Sequence, residues 1–184
     1  MIDRRGFLAA GLASTAGLAV SATGEVPSSV DALPTEPFNL LYAPHFGMFK
    51  HHAGDDLIDQ LKFAHSLGCR AWEDNGIMKR DVATQEKIAA TMSELGMTMG
   101  GFVAHAGFID GLYVNGGSEA RAFLQQQMRE AVEVAKRVNA KWCTIVPGRC
   151  VNNLEWVYQT ANVVDCLRAM AEVCEPEGLV MVLE

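Results

Sequence analysis

Leu179-Val180-Met181-Val182-Leu183-Glu184 is the stretch that decides the fold. Five apolar residues in a row, two of them valine, predict a strand buried on both faces, as in a parallel sheet. Glu184 follows at the carboxyl end of that strand, which is the end where α/β barrels place their active sites. The stretch therefore predicts both an architecture and a functional residue. No helix pattern comes after it, so we also expect a barrel that is truncated after this strand.

The chain before this stretch alternates between strand and helix patterns. Apolar runs predict strands at 38–43, 69–72, 98–104, 142–146 and 179–183. Amphipathic stretches between them predict four helices, which start at Asp55-Asp56, near Asp81, at Ser118 and at Asn152-Asn153. Strict alternation of this kind implies a parallel sheet with right-handed crossover connections.

Two α/β architectures have this alternation: an open doubly wound sheet and part of a (β/α)8 TIM barrel. No GxGxxG motif follows the first predicted strand and no P-loop occurs in the chain, which disfavours a nucleotide-binding doubly wound fold. We therefore predict a partial barrel of about five strands and four helices over residues 38–184. A full barrel needs about 250 residues. In the partial barrel, the first and last strands would be open edges, where a second copy of the chain could pair to form a homo-oligomer.

The first 37 residues carry a targeting pattern and a linker. Arg4-Arg5 and the apolar run that ends at Val20-Ser21-Ala22 predict a twin-arginine (Tat) signal peptide over residues 1–22. Three prolines among small polar residues predict a linker over 23–37. We expect a periplasmic protein without a stable membrane anchor. Cell fractionation of a variant with Arg4→Lys and Arg5→Lys tests this expectation.

Composition excludes some classes of partner. The formal net charge of −7 makes nucleic acid an unfavourable partner, because an acidic surface repels phosphates. The five cysteines show no CxxC or Cys/His spacing, so we expect them to be buried apolar residues.

Polar side chains stand where the predicted strands end, and these are the candidate site residues: His45, Glu73, His105, Arg149 and Glu184. Such groups are costly to bury unpaired, so their common position at one rim favours an active site. Taken singly, each has a simpler interpretation. Either histidine could be only a hydrogen-bonded rim residue, Glu73-Asp74 could cap a helix, and Arg149 could be a surface arginine.

Three segments carry a family resemblance: 68–73 (Gly-Cys-Arg-Ala-Trp-Glu), 96–99 (Gly-Met-Thr-Met) and 178–184 (Gly-Leu-Val-Met-Val-Leu-Glu). They resemble the xylose-isomerase-like barrels, and within these the hydroxypyruvate isomerase and sugar isomerase/epimerase group. The resemblance implies that Glu184 is a catalytic residue and a ligand of a divalent metal such as Mg or Mn. It implies three further ligands from later strands, and a substrate pocket lined by His45, Glu73 and His105.

The expected activity is therefore metal-dependent isomerisation of a small hydroxy-carbonyl compound, a sugar or keto-acid, by proton transfer through an enediolate. Arg149 could clamp a substrate carboxylate, which would suit hydroxypyruvate. Because one carboxylate cannot hold a catalytic metal in a defined geometry, the chain alone is expected to show little activity. Two alternatives stay open: an exported sugar-binding module without catalysis, and an endonuclease IV-like phosphodiesterase.

Overall fold

The computed structural model describes residues 36–108 and 111–184. The predicted signal peptide and residues 23–35 of the predicted linker lie outside these ranges. Within them, none of the helices is both long enough and apolar enough to cross a membrane. The helices are α1 (Lys50–Ala53), α2 (Leu57–Ser66), α3 (Val82–Glu94), α4 (Leu112–Asn115), α5 (Gly117–Val138) and α6 (Trp156–Cys174). The strands are β1 (Ala71–Trp72), β2 (Thr98–Met99), β3 (Val103–Ala106), β4 (Trp142–Val146) and β5 (Val180–Leu183).

All strand pairs in the described residues are parallel and follow chain order. β1 pairs with β2, and β3, β4 and β5 form a three-stranded sheet with β4 in the middle. The continuous segment 98–106 joins the two sheets, because its first half pairs with β1 and its second half with β4. Neighbours in chain order are typical of a barrel, whereas doubly wound sheets have a shuffled order. The prediction of a partial α/β barrel is thus confirmed.

Two of the predicted helices begin and end where the sequence indicates. The Asp56 carboxylate accepts hydrogen bonds from the backbone N–H of Ile58 and Asp59, and that of Asp81 accepts one from Thr84. These bonds lower the pKa of both carboxyl groups, because they favour the ionised form. Gly68 and Gly96, at φ +98° and +63°, follow the two helices in a conformation that L side chains rarely adopt.

The core lies between the sheet and the long helices. Cys143 and Ile145 alternate along β4, are fully buried, and belong to one cluster with Leu124 and Met128 of α5. Met181 of β5, the register partner of Cys143, packs against the same cluster. Because successive side chains of a strand point to opposite faces, the alternate residues of the two strands point away from the helices: Trp142, Thr144, Val146, Val180 and Val182.

The predicted first strand is wrong. Residues 38–43 form no strand, and Leu40, Leu41 and Tyr42 are exposed. The N–H of Tyr42 bonds to the carbonyl of Leu40, so the backbone makes a local turn there instead of a ladder. Apolar composition predicts burial, but it cannot show that a segment at a sheet edge lacks a partner along most of its length.

The predicted strand 98–104 is divided in two by Gly100-Gly101. A Cβ on Gly100 would lie 3.2 Å from the carbonyl oxygen of Trp72. The absence of a side chain therefore allows the backbone to pass close to β1 before it continues to β4.

The starts predicted for the third and fourth helices are wrong. α5 begins at Gly117, after the short α4, so Ser118 lies inside its first turn instead of capping it. α6 begins at Trp156 instead of Asn152 or Asn153, because residues 151–154 are held as a loop by the Gln159 side chain. The buried face of α6 is then formed by Gln159, Cys166, Ala169, Met170 and Cys174, while Val157 and Val164 are exposed.

Gly148 is required by a close approach of two loops. Its φ is +92°, and a Cβ there would overlap the carbonyl oxygen of Gly107. Gly148→Ala should therefore lower the melting temperature far more than Gly96→Ala, because Gly96 is also at a positive φ (+63°) but has nothing within 4 Å of the added carbon. Thermal unfolding followed by circular dichroism compares the two variants, and equal losses would show that the loops are not in contact.

Candidate active site

His45 and Glu73 are brought together by backbone pairing. They form an isolated parallel bridge, and the N–H of Glu73 donates to the carbonyl of Pro44 at 2.9 Å. Paired residues of parallel strands point to the same face, so the two side chains are neighbours at the carboxyl ends of their segments. The structure thus places two of the predicted site residues side by side.

The hydrogen bonds made by His45 and Glu73 leave one ring nitrogen and part of the carboxylate available as acceptors. The His45 Nδ1 lies 3.0 Å from the carbonyl oxygen of Phe46, which can only accept a hydrogen bond. Nδ1 therefore carries the proton in the neutral ring, and Nε2 is the acceptor. The Glu73 Oε1 accepts a hydrogen bond from the Asn75 side chain at 2.6 Å. A carboxylate has further acceptor positions beyond this one.

Asp74, the next residue after Glu73, has a structural role. It is 3% exposed, and its two oxygens contact the Arg80 guanidinium at 2.6 Å and 3.2 Å. It also accepts the N–H of Gly76, and the Arg80 guanidinium lies 4.9 Å from the centre of the Phe46 ring. The ion pair therefore fixes the turn that follows Glu73. The sequence analysis named Glu73 as the candidate, but adjacency alone does not show that Asp74 is the buried acid.

His105 contacts the helices. Its Nδ1 lies 2.9 Å from the Tyr113 hydroxyl of α4, and its ring is 5.9 Å from that of Phe123 of α5. The strand pairing shifts register between Val103 and His105, which changes the face to which the side chain points. The structure therefore places the His105 ring against α4 and α5, and its substrate-binding role stays a prediction. The shift has no sequence signature, so alternation counted from the sequence cannot locate it.

Arg149 is exposed in the loop after β4. Together with Trp156, Val163 and other residues of that loop and of α6, it lines a mainly apolar pocket of about 250 Å³. The described structure gives it no carboxylate partner. The prediction that it binds a substrate carboxylate stays a prediction.

Glu184 continues the ladder between β4 and β5. Its N–H donates to the carbonyl of Ile145 at 3.1 Å. Strand alternation puts its side chain on the same face as Val180 and Val182, opposite Met181, which packs against the helix layer. Glu184 thus points to the face of the sheet that would become the barrel interior. Its catalytic and metal-binding roles stay predictions.

The acidic, histidine and cysteine side chains of the described residues are the possible ligands of a metal ion. Within 36–108 and 111–184, no group of three or more His, Cys, Asp or Glu side chains is placed to hold an ion. The described residues thus do not form a metal centre by themselves.

The cysteines are structural in four cases of five. Cys69, Cys143, Cys166 and Cys174 are buried, as expected, whereas Cys150 is exposed; all five are free thiols. Burial raises the pKa of the Cys143 thiol to about 12, so it is protonated and unreactive near neutral pH. A thiol nucleophile at β4 is therefore disfavoured.

Comparison with known families identifies the class of protein. A family model for the xylose isomerase-like TIM barrel matches residues 61–184, about two thirds of the chain. The chain therefore belongs to the xylose isomerase-like TIM barrel family. No curated protein sequence matches it significantly.

Solved structures with the same fold are named for different activities. A family 2 AP endonuclease from Brucella melitensis has a TM-score of 0.59 at 14% identity, over 77% of this chain and 53% of that one. The 3-keto-D-glucoside 4-epimerase YcjR from E. coli has 0.59 at 16%, over 78% and 55%. The IOLI protein with a bound zinc atom has 0.56 at 13%, over 77% and 51%. The chain spans about half their length, and at these identities the likeness shows the fold alone.

The two neighbouring acids should behave differently when neutralised. Asp74→Asn leaves the Arg80 guanidinium without its buried counter-ion, so we expect a loss of about 3 kcal/mol in the free energy of unfolding. Glu73→Gln, which changes a half-buried side chain bonded only to Asn75, should change stability little. Urea unfolding of both variants checks this. A stable Asp74→Asn protein would contradict the structural role.

Proposed function

We propose that the protein is a sugar isomerase or epimerase acting on a small hydroxy-carbonyl compound. The observation that carries the proposal is the pairing of His45 with Glu73 at neighbouring strand ends. Family membership supports it, since one structural neighbour is named a 3-keto-D-glucoside 4-epimerase and another a D-psicose 3-epimerase. An imidazole and a carboxylate side by side are groups that can exchange protons with a substrate.

The chemistry is proton transfer next to a carbonyl. A base removes the proton from the carbon beside the carbonyl group, and the electron pair moves to the carbonyl oxygen to form an enediolate. Return of a proton to the neighbouring carbon gives isomerisation, and return to the same carbon from the opposite face gives epimerisation. Both outcomes need an acid and a base beside the substrate, which are the groups that this site offers.

Each residue has a distinct proposed part. The free acceptor Nε2 of His45 and the Glu73 carboxylate would bind substrate hydroxyls or carry protons. Glu184 would act as the base from the end of β5, on the inner face of the sheet. In its predicted second role, Glu184 would contribute one ligand to a divalent metal whose other ligands the described residues do not supply.

Hydroxypyruvate or another small keto-acid is the narrower substrate proposal. It rests on Arg149, whose planar guanidinium can bind a carboxylate through two hydrogen bonds. The guanidinium stands one residue beyond Gly148, in the loop that Gly107 contacts. We further propose that the protein acts in the periplasm, since Arg4-Arg5 begins an export pattern.

Deuterium exchange tests the reaction without knowledge of the natural substrate. The protein as its cell makes it is incubated in D2O with hydroxypyruvate and a panel of ketoses, with and without added divalent metal ions. We expect NMR to show loss of the signal of the proton beside the carbonyl. Glu184→Gln should slow this loss at least 100-fold. Glu94→Gln, which changes an exposed glutamate at the end of α3, is the matched control and should change nothing.

Other outcomes point to other functions. Tight polyol binding by a protein that exchanges no proton would favour a binding module. Cleavage of abasic DNA would favour the nuclease alternative, which the acidic charge disfavours. Full exchange activity in Glu184→Gln would remove that residue from the reaction.

A further inference from the structure

Three buried glutamines occupy the same position in three helices. Gln60, Gln85 and Gln159 are each the fourth residue of their helix, in α2, α3 and α6, and each is at most 5% exposed. An acidic residue stands four positions before each glutamine, at the N-cap of its helix. The pattern of acid, three residues and glutamine occurs three times in the whole sequence, and these are the three places.

Each glutamine bonds to the backbone of the loop that precedes its helix. Gln60 accepts the N–H of Gly47 at 2.8 Å and donates to the carbonyl of Gly54 at 3.0 Å. Its side chain therefore closes the loop 47–54, which contains α1. Both halves of the amide are used, so the side chain can sit in only one orientation.

The other two glutamines repeat this arrangement. Gln85 donates to the carbonyls of Ile77 and Arg80 at 2.9 Å and 3.0 Å, and the Arg137 guanidinium of α5 donates to its oxygen. Gln159 accepts the N–H of Val151 at 2.8 Å and donates to the carbonyls of Val151 and Leu154. Buried amides with all of these partners fix the loop backbone, because breaking one bond leaves a buried group unsatisfied.

The loops held in this way carry candidate site residues. His45 stands two residues before Gly47, Glu73 four before Ile77, and Arg149 two before Val151. The loop that follows His105 is the exception. The equivalent position in α5 is Ala120, and residues 114 and 115 are instead bonded by Asn162 of α6. The glutamines thus hold the loops next to His45, Glu73 and Arg149, whereas His105 contacts the helices directly.

We propose that Gln60, Gln85 and Gln159 are positioning residues that hold His45, Glu73 and Arg149 in the geometry needed for catalysis. The proposal rests on the proposed isomerase or epimerase function. The glutamines themselves touch only backbone and, at Gln85, one arginine. They act through the loops, so their loss changes the rate of the chemical step more than the affinity for substrate.

We call the hydrogen bonds between one glutamine side chain and its loop a clamp. The test removes one clamp at a time in the protein as its cell makes it. Gln60→Met keeps the size of the side chain but not its hydrogen bonds. We expect the amide of Gly47 to exchange with solvent about tenfold faster. We expect kcat to fall 10- to 100-fold with KM changed less than about twofold. Gln126→Met, at an exposed position of α5, is the control and should change neither quantity.

Locality separates positioning from a general loss of stability. Gln159→Met should raise exchange at Val151 and leave Gly47 protected, and Gln60→Met should do the reverse. Unchanged exchange at Gly47 in Gln60→Met overturns the clamp, whatever the activity. A faster-exchanging loop with full kcat overturns the positioning role. If the wild-type protein exchanges no substrate proton, the proposed function fails, while local loosening at Gly47 still supports the clamp.

Discussion

The parallel backbone ladder around β4 is the constraint on which the structure depends. β4 is paired on both edges, with β3 on one side and β5 on the other, and all three strands run in the same direction. Chain direction then decides where every strand-end residue lies. The segment 98–106 extends this constraint to β1, so that His45 and Glu73 share a rim with the end of β5. A single antiparallel pair would have sent these groups to opposite ends of the sheet.

Packing decides which side chains of each strand lie on the inner face of the sheet. Burial of Cys143 and Ile145 against α5 and α6 fixes which side chains of β4 face the helices. The in-register pairing gives β5 the same alternation of faces. The side chain of Glu184 consequently falls on the inner face because of strand alternation and the backbone bond to Ile145. The same rule explains His105, since one register shift in β3 turns its ring toward Tyr113. Catalytic candidates are thus placed by backbone pairing and core volume, not by attraction between the polar groups.

The sequence predicted the parts of the fold that rest on local signals. β4 was predicted at its observed bounds, and α2 and α3 begin at their predicted aspartate caps, because capping and apolar periodicity act within a few residues. The exposed segment 38–43 and the break at Gly100-Gly101 depend on what the backbone meets across the sheet, which no local pattern contains. The acid-x3-Gln repeat was visible in the sequence, but its role became clear only from the loops to which the amides bond.

For the candidate site, the sequence predicted strand-end positions but not side-chain roles. It named Glu73 as a candidate, but only burial and the ion pair with Arg80 show that the adjacent Asp74 has a structural role. The most direct measurement is a disulfide test of His45→Cys with Glu73→Cys, in a Cys150→Ser background. Paired strand residues lie about 5 Å apart at Cα, within disulfide reach, so we predict a crosslink in the folded protein and none for His45→Cys with Arg149→Cys. A folded protein whose 45 and 73 thiols both stay free under oxidation would contradict the shared rim.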